Sequence, residues 1–162
     1  MIAEHHVAFD CFGGRCALHL AGDGPLGSPE DAADAVRRQL LAWHDEFSRF
    51  LPGSALSRLN ADPSPTVRAG ATMRLLARAV VLAGEASGGL VDATLCEELE
   101  DAGYLDHLDG PGVALQDALT DAPMRWPAGP DPARRWATIA VDDAGGTISR
   151  PPGIRLDGGG LA

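Results

Sequence analysis

Two aspartates set among glycines, Asp92 and Asp157, are the side chains of this sequence whose surroundings most suggest ligand chemistry. The first lies in Ser87-Gly88-Gly89-Leu90-Val91-Asp92-Ala93-Thr94 and the second in Leu156-Asp157-Gly158-Gly159-Gly160-Leu161-Ala162. Glycine lets the backbone bend through positive φ and lets a ligand approach the main chain. A carboxylate beside such a bend can accept hydrogen bonds from a ligand or help hold a hard cation. Taken alone, the first stretch reads as a helix C-cap, because it follows an apolar helical run directly. A second Gly-rich stretch with its own Asp suggests one ligand site built from both. No Ser-His-Asp or Cys-His arrangement offers a nucleophile belonging to the chain, so a covalent enzyme intermediate is not expected.

The totals narrow what that ligand can be. At 162 residues, 45% hydrophobic and 22% charged, the chain fits one globular domain with a real core. Its formal net charge is -10, from 13 Lys+Arg against 23 Asp+Glu. A nucleic-acid backbone would meet a repulsive field, so no nucleic-acid partner is expected. An anionic small ligand would need a metal ion or oriented backbone N–H groups to offset the repulsion. Cys11, Cys16 and Cys96 form no C-x-x-C pair and no zinc spacing with histidine, and so sparse a set suits a reducing compartment. The N-terminal residues lack a basic and then apolar leader, and no run is long enough to span a bilayer. The expectation is a soluble, cytoplasmic protein without a membrane span.

The elements that must position the two aspartates follow from periodicity. Residues 7–20 alternate apolar and polar on either side of Phe12-Gly13-Gly14-Arg15, which is either two short strands joined by a turn or one strand bent at a glycine bulge. Ser28 caps a helix that opens with Pro29, Glu30 and Asp31. Its apolar positions Val36, Leu40, Trp43, Phe47 and Phe50 recur at helical spacing and read as a core stripe, with His44 and Asp45 solvated off it. Residues 54–60 form a short turn or helical piece in which Ser54, Ser57 and Asn60 bond locally. A second helix over 72–86 looks buried over much of its girth, since Leu75, Val81 and Leu82 broaden its stripe. Residues 95–104 look helical, with Glu97, Glu98, Glu100 and Asp101 as a solvated acidic face. Residues 110–132 read as a surface loop, 136–141 and 147–149 as a hairpin, and 154–156 as a short strand. The fold expected is α+β, a mainly antiparallel sheet of the N-terminal strand and the strands after Trp136, covered by helices 29–50 and 72–86.

Four stretches, in order, resemble the FAD:protein FMN transferase family, also called the ApbE family. Phe9-Asp10-Cys11-Phe12-Gly13-Gly14 resembles its N-terminal Met-Gly-Thr strand end. Residues 47–60, Phe-Ser-Arg-Phe-Leu-Pro-Gly-Ser-Ala-Leu-Ser-Arg-Leu-Asn, resemble its aromatic-x-Pro-x-Ser-Glu-x-Ser-x-Leu-Asn segment. Residues 87–94 resemble its Ser-Gly-Gly-x-Phe-Asp-x-Thr motif, and 156–162 its Leu-Asp-Leu-Gly-Gly-Ile-Ala-Lys-Gly motif. Phe12 stands where Met is usual, Gly14 for Thr, Phe50 for Tyr, Ala55 for Glu and Gly158 for Leu. The lost Tyr hydroxyl and Glu carboxylate remove polar contacts without forbidding flavin packing.

The resemblance implies that residues 1–162 are the N-terminal part of a single ApbE-like domain, with the family's later Lys, His and remaining metal ligands lying past Ala162. It implies FAD as substrate, Mg2+ as cofactor, and an acceptor flavoprotein with a Thr-containing motif as partner. Phe12 and Phe50 would help enclose FAD, Leu90, Val91 and Asp92 would contact it at the turn after the second helix, and Asp157 would bind it as well. The backbone carbonyl of Gly160 would be one magnesium ligand. The implied reaction moves the FMN part of FAD to a Thr hydroxyl and releases AMP. An FAD-hydrolysing or merely FAD-binding relative, and an inactive fragment, are the alternatives. A fragment of this fold is expected to expose apolar surface.

Overall fold

A computed structural model describes residues 4–106 and 129–158, with 114, 116, 117, 120 and 127. Strands β1 (Glu4–Cys11) and β2 (Gly14–Ala21) pair antiparallel in the register Cys11↔Gly14 to Glu4↔Ala21. The turn between them holds Phe12 and Gly13 at φ 53° and 73°, the positive values that a two-residue hairpin connection demands. Two strands and a turn are therefore formed, rather than one bent strand.

Helix α1 (Pro29–Phe47) starts as the sequence indicates. The Ser28 hydroxyl accepts the Asp31 N–H, and the Asp31 carboxylate accepts from the Ser28 hydroxyl and N–H. Such a capping box is worth about 1 kcal/mol, and the Ser28 donors hold the Asp31 carboxyl below its ordinary range. The helix ends before Phe50, with Ser48 as its C-cap. Its aromatic stripe is only partly covered: Trp43 is 40% exposed, because the partner is a two-stranded hairpin too narrow to bury the whole helix face. His44, expected in solvent, instead accepts the Phe12 N–H at Nδ1 (3.1 Å) and meets the Phe12 ring edge-on at 5.1 Å.

Helix α2 (Ala55–Ala61) is capped by Ser54, whose hydroxyl accepts the Ser57 N–H. At its other end the buried Arg150 guanidinium donates to the carbonyls of Leu59 and Asp62, placing a cation at the negative pole of the helix. Strand β3 (Thr66–Arg68) follows and then helix α3 (Ala71–Ala86), helix α4 (Cys96–Asp101), a 3-10 turn (Arg135–Thr138), and strands β4 (Ala140–Asp142) and β5 (Thr147–Ser149).

The fold is α+β with antiparallel pairing, as expected, but the strands form two sheets. The hairpin β1-β2 stands by itself against α1, and the second sheet has the order β3-β5-β4. No periodicity marks β3, which follows a Pro-rich stretch and is only three residues long. Residues 136–141, expected as one strand, divide into the 3-10 turn and β4. Residues 154–156, expected as a short strand, join no sheet: Ile154 N–H donates back to the Pro151 carbonyl and Leu156 pairs with the Asn60 side chain.

The core gathers Leu56 and Leu59 of α2, Met73, Ala77 and Val80 of α3, Trp136, Ile139, Ile148 and Leu156. Gly84 is what admits Trp136: a Cβ there would lie 2.3 to 2.8 Å from the indole carbons. The other face of α3 is open, with Leu75 62% and Leu82 65% exposed beside Ile139 and Val141. The expectation that α3 is buried over much of its girth, with Leu75 and Leu82 in the stripe, therefore fails on that face. Among the described residues no helix is long and apolar enough to cross a membrane.

Candidate functional site

The first Gly-rich stretch is a helix stop and a loop at once. Ser87 is the C-cap of α3, and Gly88 and Gly89 follow at φ 64° and 89°. Gly89 N–H donates to the Gly84 carbonyl (2.7 Å) and Gly88 N–H to the Glu85 carbonyl (3.2 Å), the paired bonds of a Schellman motif. The Ser87 hydroxyl donates back to the Ala83 carbonyl and accepts the Val91 N–H at 2.9 Å, which turns the chain toward Asp92. Asp92 Oδ1 then accepts the Thr94 N–H (2.8 Å) and hydroxyl (2.6 Å). Its Oδ2 is buried with no hydrogen-bond partner among the described residues.

The second stretch is drawn to the first by the main chain. Asp157 N–H donates to the Ala93 carbonyl at 2.8 Å, one residue after Asp92. Leu156 is fixed by Asn60, whose amide nitrogen donates to the Leu156 carbonyl and whose amide oxygen accepts the Leu156 N–H, both at 2.8 Å. One side chain thus satisfies both main-chain groups of a buried residue that has no strand partner. Arg150 anchors α2, α2 carries Asn60, and Asn60 sets Leu156 beside Asp157.

Arg49 gathers the polar wall. Its Nε donates to Asp157 Oδ2 (2.7 Å), its fork to the Tyr104 carbonyl (2.6 Å) and to Glu100 (3.4 Å), and its guanidinium carbon lies 4.2 and 4.8 Å from the ring centres of Phe50 and Tyr104, within cation–π range of both. Arg155 grips both oxygens of Glu100 at 2.9 and 2.7 Å. That bond chiefly holds the Glu100 carboxyl below its ordinary value and raises Arg155. Cys96 lies beneath, its thiol pushed up to about 12 by burial first and then by the charge of Asp157. Arg49, Asn60, Cys96, Glu100 and Arg155 line a cleft of about 230 Å³.

Of the residues singled out from sequence, Asp92 and Asp157 come together at the Ala93 bond. Phe50 joins them through Arg49, with its ring edge-on to Tyr104 at 5.3 Å. Val91 and Leu90 lie on the same loop, Val91 half-buried and Leu90 63% exposed. Phe12 is placed by the hairpin turn against His44 of α1, 39% exposed. Gly160 lies outside the described residues. Among the described residues no three His, Cys, Asp or Glu side chains gather in a way that could hold a metal ion.

Arg49, Glu100, Arg155 and Tyr104 were not identified in the sequence as site residues. Glu100 in particular, assigned to a solvated face, is a paired and half-buried group. Asn60 does carry a signal, as the last residue of the segment resembling Ser-x-Leu-Asn, and it bonds to Leu156 across the fold and not within its own turn.

No family model matches the sequence, and no curated protein matches it. Solved structures do match in fold. The ApbE protein of Thermotoga maritima superposes with a TM-score of 0.69 at 17% identity, over 97% of this chain and 48% of that one. The flavin transferase ApbE of Vibrio cholerae gives 0.70 at 16%, over 98% and 49%. The apo form of the flavinyl transferase ApbE of Pseudomonas stutzeri gives 0.69 at 18%, over 96% and 49%. The chain shares the fold of these proteins and spans about half their length.

Proposed function

We propose that this chain is the N-terminal, FAD-binding part of a single flavin transferase domain of ApbE type, moving FMN from FAD to a Thr hydroxyl of an acceptor flavoprotein. The observation that carries the reading is the Asp157 to Ala93 main-chain bond, which brings Asp157 to the loop that carries Asp92. The likeness of fold to solved flavin transferases supports it.

In this reading the chain's own residues bind and orient the dinucleotide. A carboxylate accepts and cannot donate, so a ligand group that pairs with the buried Asp92 Oδ2 would be a hydroxyl or N–H and not a phosphate oxygen. At Gly88 nothing lies within 4 Å of where a Cβ would sit, which would let a pyrophosphate approach the backbone there. Phe50 and Phe12 flank the C-terminal end of α1 and supply apolar surface for the flavin.

The acceptor Thr oxygen forms a bond to the FMN-side phosphorus. The bond from that phosphorus to the AMP oxygen breaks, AMP leaves with the electron pair, and the hydroxyl proton passes to solvent. Among the described residues no three His, Cys, Asp or Glu side chains come together to hold a magnesium ion. A requirement for it remains part of what the assay measures.

The test is incubation of the whole protein with FAD, Mg2+ and a Thr-containing acceptor, with mass spectrometry of the acceptor and assay of AMP. An acceptor heavier by one FMN phosphoester, with AMP in equal amount, is the expected result. Accumulation of AMP and FMN without covalent flavin would replace transfer by hydrolysis. Absence of any FAD turnover or binding would overturn the reading.

A further inference from the structure

We propose that His6 and His19 form a two-histidine site for a divalent transition-metal ion of the Zn2+ or Ni2+ kind, clamping the open end of the β1-β2 hairpin. The inference stands on the hairpin alone and does not depend on the FAD reading.

The register sets the two side chains opposite one another. The closing pair Cys11↔Gly14 flanks a two-residue turn and is therefore a hydrogen-bonded pair, and the two kinds of pair alternate from there outward. By that count His6↔His19 is a non-hydrogen-bonded pair, the kind whose Cα atoms are only about 4.5 Å apart and whose side chains come closest. Their ring centroids lie 4.2 Å apart with the planes at 33°. Both residues are exposed, and neither imidazole is engaged in a hydrogen bond or ion pair among the described residues.

Strand alternation keeps the pair off the packed face of the hairpin. Phe9 lies under the Arg37 guanidinium and the Cys11 thiol donates to the Leu40 carbonyl, so the odd-numbered positions of β1 face α1. His5 belongs to that side and His6 to the other, where Glu4 shares its face.

Imidazole nitrogen suits Zn2+, Ni2+ and Cu2+, whereas Mg2+ takes oxygen donors. Among the described residues no third side chain joins the pair, so water would fill the remaining coordination positions. The Phe12-Gly13 turn joins the strands at one end, and no turn joins them at the other. A two-stranded hairpin is marginal by itself, and an ion held only when the strands are paired would favour the paired state.

The experiment is isothermal titration of Ni2+, Zn2+ and Mg2+ into the whole protein free of any polyhistidine tag. Wild type is compared with His6→Phe and His19→Phe, which keep a ring contact and remove a ligand, with the double variant, and with His5→Asn. Circular dichroism checks folding, and His6→Gln and His19→Gln repeat the test without an exposed aromatic ring. Wild type is expected to bind Ni2+ and Zn2+ at least about tenfold more tightly than either single variant, the gain from a second ligand already held in place. Both singles should bind as weakly as the double, His5→Asn should match wild type, and excess Mg2+ should not displace Ni2+. Amide exchange in β1 and β2 should slow on adding Ni2+ to wild type and not to the variants.

Wild-type affinity retained by either single variant, losses at the two positions that simply add, or wild-type binding no tighter than the double would overturn the site and leave the two rings as a cross-strand contact.

Discussion

Asp157 and Ala93 share a main-chain hydrogen bond of 2.8 Å, and through it the segment after β5 is held against the loop after α3. Everything else in the candidate site is arranged about that bond. Asn60 secures one side of it and Arg49 the other.

Asn60→Ala should loosen this junction. It leaves the Leu156 N–H and carbonyl without their partners in a buried place, at about 1–3 kcal/mol for each orphaned group. Urea denaturation measures the loss. Asn60→Asp keeps the acceptor for the N–H but turns a carboxylate on the Leu156 carbonyl, and should not recover it. Equal midpoints for wild type and Asn60→Ala would contradict the role given to Asn60.

Gly84→Ala tests the packing behind the loop. In an exposed helix the change would stabilise by about 1 kcal/mol. Here the new Cβ would sit 2.3 Å from the Trp136 ring, so the overpacking cost of about 1–3 kcal/mol should win and the protein should be less stable. Tryptophan emission should change with it, since Trp136 must move.

Glu100→Gln gives a pH signature. The folded protein holds the Glu100 carboxyl below its ordinary value, chiefly through Arg155. That interaction stabilises the fold above the ordinary carboxylate range and is lost as pH falls through the folded-state value. Wild type should be the more stable at neutral pH, and the two denaturation midpoints should converge on acidification. A constant gap at all pH values would argue against the ion pair.

Cys96 should be inert. Its thiol is buried and pushed up to about 12, so almost no thiolate exists at pH 8. Iodoacetamide should modify the half-buried Cys16 in the native protein and reach Cys96 only on unfolding. Equal rates at the two cysteines would show that α4 opens freely.

What the sequence made legible is what local chemistry encodes. Ser28 and Asp31 announce the start of α1, and Gly88 and Gly89 the stop of α3, because caps are short-range devices. Two similar glycine contexts pointed to a link between their segments, and the main chain of Asp157 does meet that of Ala93. The Arg49–Glu100–Arg155 set was not, since its members come from distant parts of the chain and nothing in their spacing pairs them. Nor was the splitting of the sheet, because whether β1 and β2 join the other strands depends on where α1 packs. Likewise Leu75 and Leu82 have the pattern of core residues, and only tertiary placement leaves them open.

The proposed sharing of one dinucleotide by the Asp92 loop and the Asp157 segment can be read directly by hydrogen–deuterium exchange of the whole protein with and without FAD. Peptides covering residues 87–94 and 154–158 should gain protection together, at the same FAD concentration, while those from β1 away from Phe12 stay unchanged. Protection of one stretch without the other, or of neither at saturating FAD, would contradict the shared site.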